Sequence, residues 1–169
     1  MVTGVQTCAL PILEYEINKF MNIFNVKIEE VEVVRKRLNE VRSLAKEIDK
    51  LTYIHNKVSG FENHLYQVSF SDFNGDIDAF EVDLKKVICD MKNKKPANRK
   101  LRLGYIGVPP MTPDIYEFVE KFNADFVYNE VQREFAFPRA DKSLDIFQQY
   151  YDYTYPYNKI GRASCRERV

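Results

Sequence analysis

The feature that most restricts the fold is a strand–helix–strand pattern in residues 101–130. Apolar residues dominate Leu101–Gly107, which predicts a first strand, and Asp125–Glu130 predicts a second. Between them lies an apolar stripe at helical spacing, formed by Ile115, Phe118, Val119 and Phe122. Because a crossover helix joins parallel strands, the pattern predicts a parallel βαβ unit.

The ends of the intervening helix carry their own signals. Thr112 suits the N-cap position, Pro113 the first helical position, and Asp114 the first turn, where the helix dipole favours negative charge. Asn123 suits the left-handed backbone that often ends a helix. We therefore expect the helix to begin at Pro113 and to end before Asn123.

The residues before this unit have helical periodicity. Apolar residues at steps of three and four predict one long amphipathic helix over residues 29–54. A short helix is predicted over residues 61–70, and another after Asp76, which suits a helix cap. Beyond the second strand, a further helix is predicted over residues 141–151.

These elements define the expected fold class, which is α/β. We predict a helical region over residues 13–94 and a basic loop over residues 95–100. The start of a Rossmann-like parallel βαβ domain follows over residues 101–158. This domain is expected to be truncated.

The two ends of the chain resemble translated sequencing adapters. The last ten residues, IGRASCRERV, resemble one adapter, and VTGVQTCALPI near the start resembles the opposite one. We therefore expect residues 1–12 and 159–169 to be adapter-derived, so that folding shaped only residues 13–158. That segment is expected to be an internal piece of a longer protein.

Excluding the adapter-like ends changes the charge and the cysteine count. The chain falls from 25 basic and 25 acidic residues to 21 and 24, which gives no electrostatic case for nucleic acid or anionic membrane. Cys8 and Cys165 lie in the ends, so Cys89 is the one remaining cysteine. A disulfide within the segment is excluded and a reducing cytoplasm is predicted. Beside the apolar stripe of its helix, Cys89 is expected to be an inert packing residue.

The sequence also argues against two other classes. No apolar run approaches the roughly 18–20 residues of a membrane span. His55 and His64 lack companions at metal-ligand spacing, so no metal site is predicted.

Candidate binding residues follow the two predicted strands, where open α/β sheets bind ligands. The loop GVPPMTP after the first strand begins with Gly107, but its prolines lack N–H donors, which favours a rigid turn over a nucleotide site. After the second strand, Glu130, Gln132 and Arg133 could orient a polar substrate group or a partner carboxylate. The alternative is a surface Glu–Arg pair, which would stabilise little.

A tyrosine-rich segment, YYDYTYPY, follows the last predicted helix and includes Tyr155. Its alternation fits an extended segment. Packing against a pocket is favoured over stacking on nucleic-acid bases, because the region lacks a basic groove.

The order of these motifs resembles the middle of the 2-hydroxyacyl-CoA dehydratase family, which includes 2-hydroxyglutaryl-CoA dehydratase components and benzoyl-CoA reductase subunits. The segments RLNEVRSLAKEI, VSGFE, RKLRLGYIGVPPMTPDIYEFVEKFNADFVYNEVQREF and YYDYTYPYN occur in that order. The residues that carry the resemblance are Asn39, Arg42, Ser59, Gly60, Arg102, Gly107, Glu120, Ala124 and Val127.

The resemblance implies an oxygen-sensitive enzyme that removes water from a 2-hydroxyacyl-CoA after one-electron reduction. It implies two Rossmann-like halves, a [4Fe–4S] cluster in the intact parent protein, a related subunit as dimer partner and an ATP-dependent iron–sulfur activator. None of the cluster cysteines maps onto Cys89, so this segment is expected to bind no metal and to be inactive alone. Substrate-lining roles near the thioester or the subunit interface are implied for Gly107, Glu130, Gln132, Arg133 and Tyr155.

Three functions therefore stay open. Members of the family that the chain resembles often show cysteine in the strand-end region where this chain has Glu130 and Gln132, so it is either a dehydratase subunit segment or a cluster-free module that binds an activator or ligand. An unrelated α/β domain is the third.

Overall fold

A computed structural model describes residues 6–112, 114–136 and 143–152. The chain divides into two compact units, residues 1–40 with 139–169 and residues 41–138. In chain order the helices are α1 (Gln6–Phe24), α2 (Ile28–Arg42), α3 (Ala45–Tyr53), α4 (Gly60–Val68), α5 (Ile77–Asn93), α6 (Ile115–Glu120), α7 (Glu130–Glu134) and α8 (Ile146–Asp152). The strands are β1 (Leu101–Tyr105) and β2 (Ala124–Asn129). Among the described helices, none has the length and apolar character that crossing a bilayer requires.

The first unit contains α1, most of α2 and α8. Arg35 pairs with Glu32 one turn earlier on α2, with their nitrogen and oxygen atoms 2.6 Å apart. The other Glu32 oxygen accepts the Ile146 N–H at 2.8 Å, so this carboxylate also fixes the start of α8. The Arg35 hydrogen bond lowers the pKa of Glu32. Helix α8 overlaps the predicted range 141–151 and ends one residue beyond it, while residues 141–142 are outside the described residues.

The second unit has an apolar core under α3, α4 and α5. Its most deeply buried apolar side chains are Val41, Ile48, Phe70, Leu84 and Met91. Three phenylalanines, Phe70, Phe73 and Phe80, pack edge to face with ring centroids 5.3–6.1 Å apart. The Arg42 guanidinium lies over the Phe73 ring at 5.3 Å.

The prediction of one helix over residues 29–54 is wrong, because α2 and α3 are separate helices. The chain turns at Ser43 and Leu44, where the Leu44 N–H bonds to the carbonyl of Val41 instead of continuing the α-helical ladder. Ala45 and Ile48 are nevertheless buried together with Val41. The apolar periodicity therefore runs through the break, which is why it does not reveal it.

Helix α5 confirms its prediction. The Asp76 side chain accepts the N–H groups of Asp78 and Ala79 at 3.0 Å each, so Asp76 is the N-cap. The buried face is formed by Phe80, Leu84, Ile88 and Met91. Cys89 is exposed, so its predicted packing role is wrong. Each helical residue is rotated about 100° from the previous one, which carries Cys89 off the face that buries Ile88.

The two strands pair in parallel, as predicted, with Leu101 opposite Ala124 and Leu103 opposite Phe126. The register shifts after Leu103, so that Tyr105 lies opposite Asn129. Strand β2 is largely buried, whereas β1 is largely exposed.

Helix α6 also departs from prediction. It begins at Ile115 and not at Pro113, its N-cap is Asp114, and Thr112 does not cap it. Tyr116 is the buried residue, whereas Phe118 and Phe122 are 53% and 61% exposed. The predicted stripe is therefore wrong at Phe118 and Phe122, whereas Ile115 and Val119 are half-buried. The helix instead buries Tyr116, whose hydroxyl has polar partners described below. Asn123 ends the segment with φ +54°, as predicted.

Candidate functional site

The start of α4 lies against β2, and a glycine makes this contact possible. A Cβ on Gly60 would lie 2.4 Å from the Phe126 carbonyl oxygen, too close for any other residue without a shift of the backbone. The Gly60 N–H donates to Asp125 Oδ1 at 3.0 Å. Ser59 caps the helix in a reciprocal arrangement with Glu62. VSGFE is thus a docking point for α4 as well as a break between helices.

Asn129, the last residue of β2, connects the sheet to α4. Its Nδ2 donates to the Gly60 carbonyl at 3.1 Å and to Asn63 Oδ1 at 3.0 Å. Asn63 in turn donates to Asp49 Oδ1 at 3.0 Å and to Thr52 Oγ1 at 3.1 Å. Asn63, Asn129 and Thr52 are each 1% exposed. Buried amides with this many partners fix the position of α4 between α3 and β2.

Asp49 on α3 is the charged end of this network. Arg133 of α7 lies 2.8 Å from Asp49 Oδ2, and Gln67 of α4 donates to Oδ1 at 3.1 Å. The Arg133 guanidinium also lies over the Tyr128 ring at 5.0 Å. The arginine thereby links α7 to the helical core.

A histidine and a tyrosine lie at the other end. His64 Nδ1 is 2.7 Å from the Tyr116 hydroxyl, which donates to Asn129 Oδ1 at 3.2 Å. Gln132 Nε2 is 3.3 Å from the same His64 nitrogen. Burial lowers the pKa of His64 and raises the pKa of Tyr116, so both groups are neutral near pH 7.

Glu130 and Gly107 meet at the carboxyl end of the strand pair. The Gly107 N–H donates to Glu130 Oε2 at 3.2 Å. Gly107 has φ +114°, a backbone conformation that favours glycine. Both groups are partly exposed, so this edge presents a carboxylate that a ligand could reach. A carboxylate here suits a hydrogen-bond donor such as a hydroxyl and not a phosphate.

The five predicted substrate-lining residues have different positions. Glu130 and Gly107 are together at the sheet edge, whereas the Gln132 side chain is fully buried against His64. Arg133 pairs with Asp49 and not with Glu130, so the alternative of a surface Glu–Arg pair is wrong. Tyr155 is outside the described residues. Contact of any of them with a substrate stays a prediction.

Sequence reasoning missed most of the network. A sequence signal could have indicated Asn129, because it is a polar residue at the end of an apolar strand, at the start of NEVQREF. No such signal marks His64, Tyr116 or Asn63, because their hydrogen-bond partners are far away in the sequence.

The described residues do not supply the ligands of an iron–sulfur cluster. Among them, no group of three or more His, Cys, Asp or Glu side chains could hold a metal ion. Cys89 is the one cysteine whose side chain is described, and such a cluster needs several thiolates.

No protein-family model matches the chain, and neither does any curated protein or solved structure.

Proposed function

We propose that residues 13–158 form part of a 2-hydroxyacyl-CoA dehydratase-type subunit. In this proposal the carboxyl end of the β1–β2 pair lines the acyl-CoA site, and the strands belong to a Rossmann-like domain. The observation that carries the proposal is the contact between Glu130 and Gly107 at the ends of two parallel strands. Open α/β sheets bind their ligands at that edge.

The motif residues support the proposal because Gly60 is restricted by the fold and several others make tertiary contacts. Gly60 allows α4 to approach β2, and the Arg102 guanidinium bonds to the Tyr53 carbonyl. Glu120 pairs with Arg99 at 3.1 Å, and Ala124 is buried at the start of β2.

The roles proposed for the site residues follow from their contacts. Glu130 accepts a hydrogen bond from a substrate hydroxyl, since its second oxygen is not the one that binds Gly107. Gln132 and Arg133 hold α7 in place from the inner side, because one is buried and the other is bound to Asp49. The described residues hold no cluster ligand set, so the cluster, the partner subunit and the ATP-dependent activator belong to the proposal through the resemblance alone.

The test is to express the complete gene that encodes residues 13–158, without oxygen and together with its activator. We expect iron and acid-labile sulfide in the ratio of a [4Fe–4S] cluster, and ATP-dependent conversion of a 2-hydroxyacyl-CoA to the enoyl-CoA. Glu130→Gln should lower kcat/KM at least about 10-fold, the size of one lost hydrogen bond to a charged group. Glu117→Gln is the matched control, because Glu117 is exposed on α6.

One alternative has a specific observation in its favour. In the dehydratase family that the chain resembles, the strand-end region that holds Glu130 and Gln132 often has cysteine, and its replacement here suits a cluster-free module that binds an activator or a ligand. Iron analysis separates the two functions. A complete protein purified without oxygen that contains no iron and sulfide would contradict the dehydratase proposal and support the module.

A further inference from the structure

His64 is the titratable group in the buried network that the proposed function leaves without a role. Its Nδ1 faces the Tyr116 hydroxyl at 2.7 Å and the Gln132 amide at 3.3 Å. Nε2 makes no hydrogen bond or ion pair with any residue that the structure describes. The two ring nitrogens therefore have different surroundings, one inside the network and one outside it.

The position of the imidazole proton follows from a single buried acceptor. Asn129 Oδ1 is almost completely buried, and the Tyr116 hydroxyl is its one hydrogen-bond donor among the described residues. A hydroxyl has one proton. If Tyr116 donated to His64, Asn129 Oδ1 would lose its donor, and a buried acceptor without a donor destabilises a fold. Tyr116 therefore donates to Asn129 and accepts from His64 Nδ1.

The amide of Gln132 is compatible with this direction. Its Oε1 is buried and has no donor. Rotation of the amide by 180° brings Oε1 toward Nδ1–H, where it can accept a second, weaker hydrogen bond. The Asn129 amide has no second orientation, because its Nδ2 donates to the Gly60 carbonyl and to Asn63 Oδ1, so Asn129 and not Gln132 decides the tautomer.

We infer that His64 is a proton-accepting site, in which Tyr116 holds Nδ1 protonated and leaves Nε2 as a bare nitrogen outside the network. Its ligands would be small molecules that bring an O–H or N–H donor to Nε2, and it can take a proton from such a group. Tyr116 and Asn129 are positioning residues, since they act through the imidazole. The inference does not depend on the dehydratase proposal.

The surroundings of His64 suit this role. Burial lowers its pKa, which keeps the ring unprotonated at neutral pH. Phe61 and His64 both pack edge to face on the Tyr116 ring, with centroids 5.7 and 5.6 Å from it, and Phe61 is 51% exposed. An exposed apolar side chain thus lies one turn before the imidazole, and an apolar neighbour strengthens a hydrogen bond formed at Nε2.

The test is a long-range 1H–15N correlation spectrum of the imidazole rings in the 15N-labelled 169-residue chain at about pH 8, where an ordinary histidine is neutral. We expect His64 to show a protonated Nδ1 and a bare Nε2, with the His64→Gln spectrum as the assignment. His55, the other histidine of the chain, is exposed and serves as the internal control. It should show the Nε2–H form that predominates in free histidine.

Tyr116→Phe tests the positioning role. We expect His64 to shift toward the Nε2–H form, while His55 does not change. A wild-type His64 with a bare Nδ1 would overturn the inference, and that measurement needs no variant. A folded Tyr116→Phe protein that keeps Nδ1 protonated would overturn the role of Tyr116.

Discussion

The helical core and the strand pair of residues 41–138 are stabilised in different ways. Between α3 and α5 the buried groups are mainly apolar, with Ile48, Leu84 and Met91 at most 1% exposed. At the strands, buried amides and a charged pair hold α4, β2 and α7, while Leu101 of β1 is 50% exposed. Apolar contact thus provides most of the stability, and polar contact specifies how the sheet docks on the helices.

The largest expected effect tests this difference directly. Leu84→Ala should lower the free energy of unfolding by about 3–4 kcal/mol, because it opens a cavity in a closely packed core. Leu101→Ala should lower it by less than about 1 kcal/mol, because the side chain is half exposed. Urea unfolding followed by circular dichroism measures both. Equal losses would show that β1 is as well packed as the helices.

The next effect concerns the contact between α4 and β2. Gly60→Ala should lower the free energy of unfolding by about 2–3 kcal/mol, because its Cβ would overlap the Phe126 carbonyl and break the bond to Asp125. Gly104→Ala is the matched control, since its Cβ would lie 3.9 Å from the nearest atom, in Tyr128. A tolerated Gly60→Ala would mean that α4 is not closely docked on β2.

The sequence predicted the elements better than their boundaries. The signals for the strands and for α5 are local, since apolar runs and the Asp76 cap indicate these elements within a few residues. The break between α2 and α3 has no local signal, because the buried apolar face continues through it. Helix α6 has only six residues, so the two hydrogen bonds of Tyr116, one buried and one partly buried, outweigh its apolar stripe.

Glu130 and Gly107 were predicted because parallel strands bring their carboxyl ends to one edge. The partners of Arg133 and His64 were not, since Asp49 and Tyr116 come from elements whose packing is not encoded by local spacing.

A smaller effect tests the polar network itself. Asn63→Leu should lower the free energy of unfolding by about 2 kcal/mol, because Asp49 and Asn129 each lose a buried hydrogen-bond partner. Asn93→Leu is the matched control, because Asn93 is exposed at the end of α5. The loss should appear in the sheet first, as faster amide hydrogen exchange in β2 than in α5. Uniform exchange in both elements would mean that the network is not specific to the docking of the sheet.

The smallest effect is the dependence of stability on pH. Burial holds the pKa of His64 below its ordinary value of 6.5 in the folded protein, so the unfolded chain binds this proton more readily. Stability from this group is therefore fully present above about pH 6.5 and is lost as pH falls toward the folded pKa. The contribution of Asp125 to stability has the opposite pH dependence, at lower pH. Burial of its charged carboxylate is unfavourable and raises the pKa of the carboxyl, so protonation of Asp125 stabilises the folded protein. His64→Gln should flatten the slope of unfolding free energy against pH just below 6.5. The slope around the ordinary carboxyl pKa should not change. Urea titrations at a series of pH values measure both slopes. An unchanged slope below pH 6.5 would place the His64 ring in solvent, outside the polar network that joins the sheet to the helices.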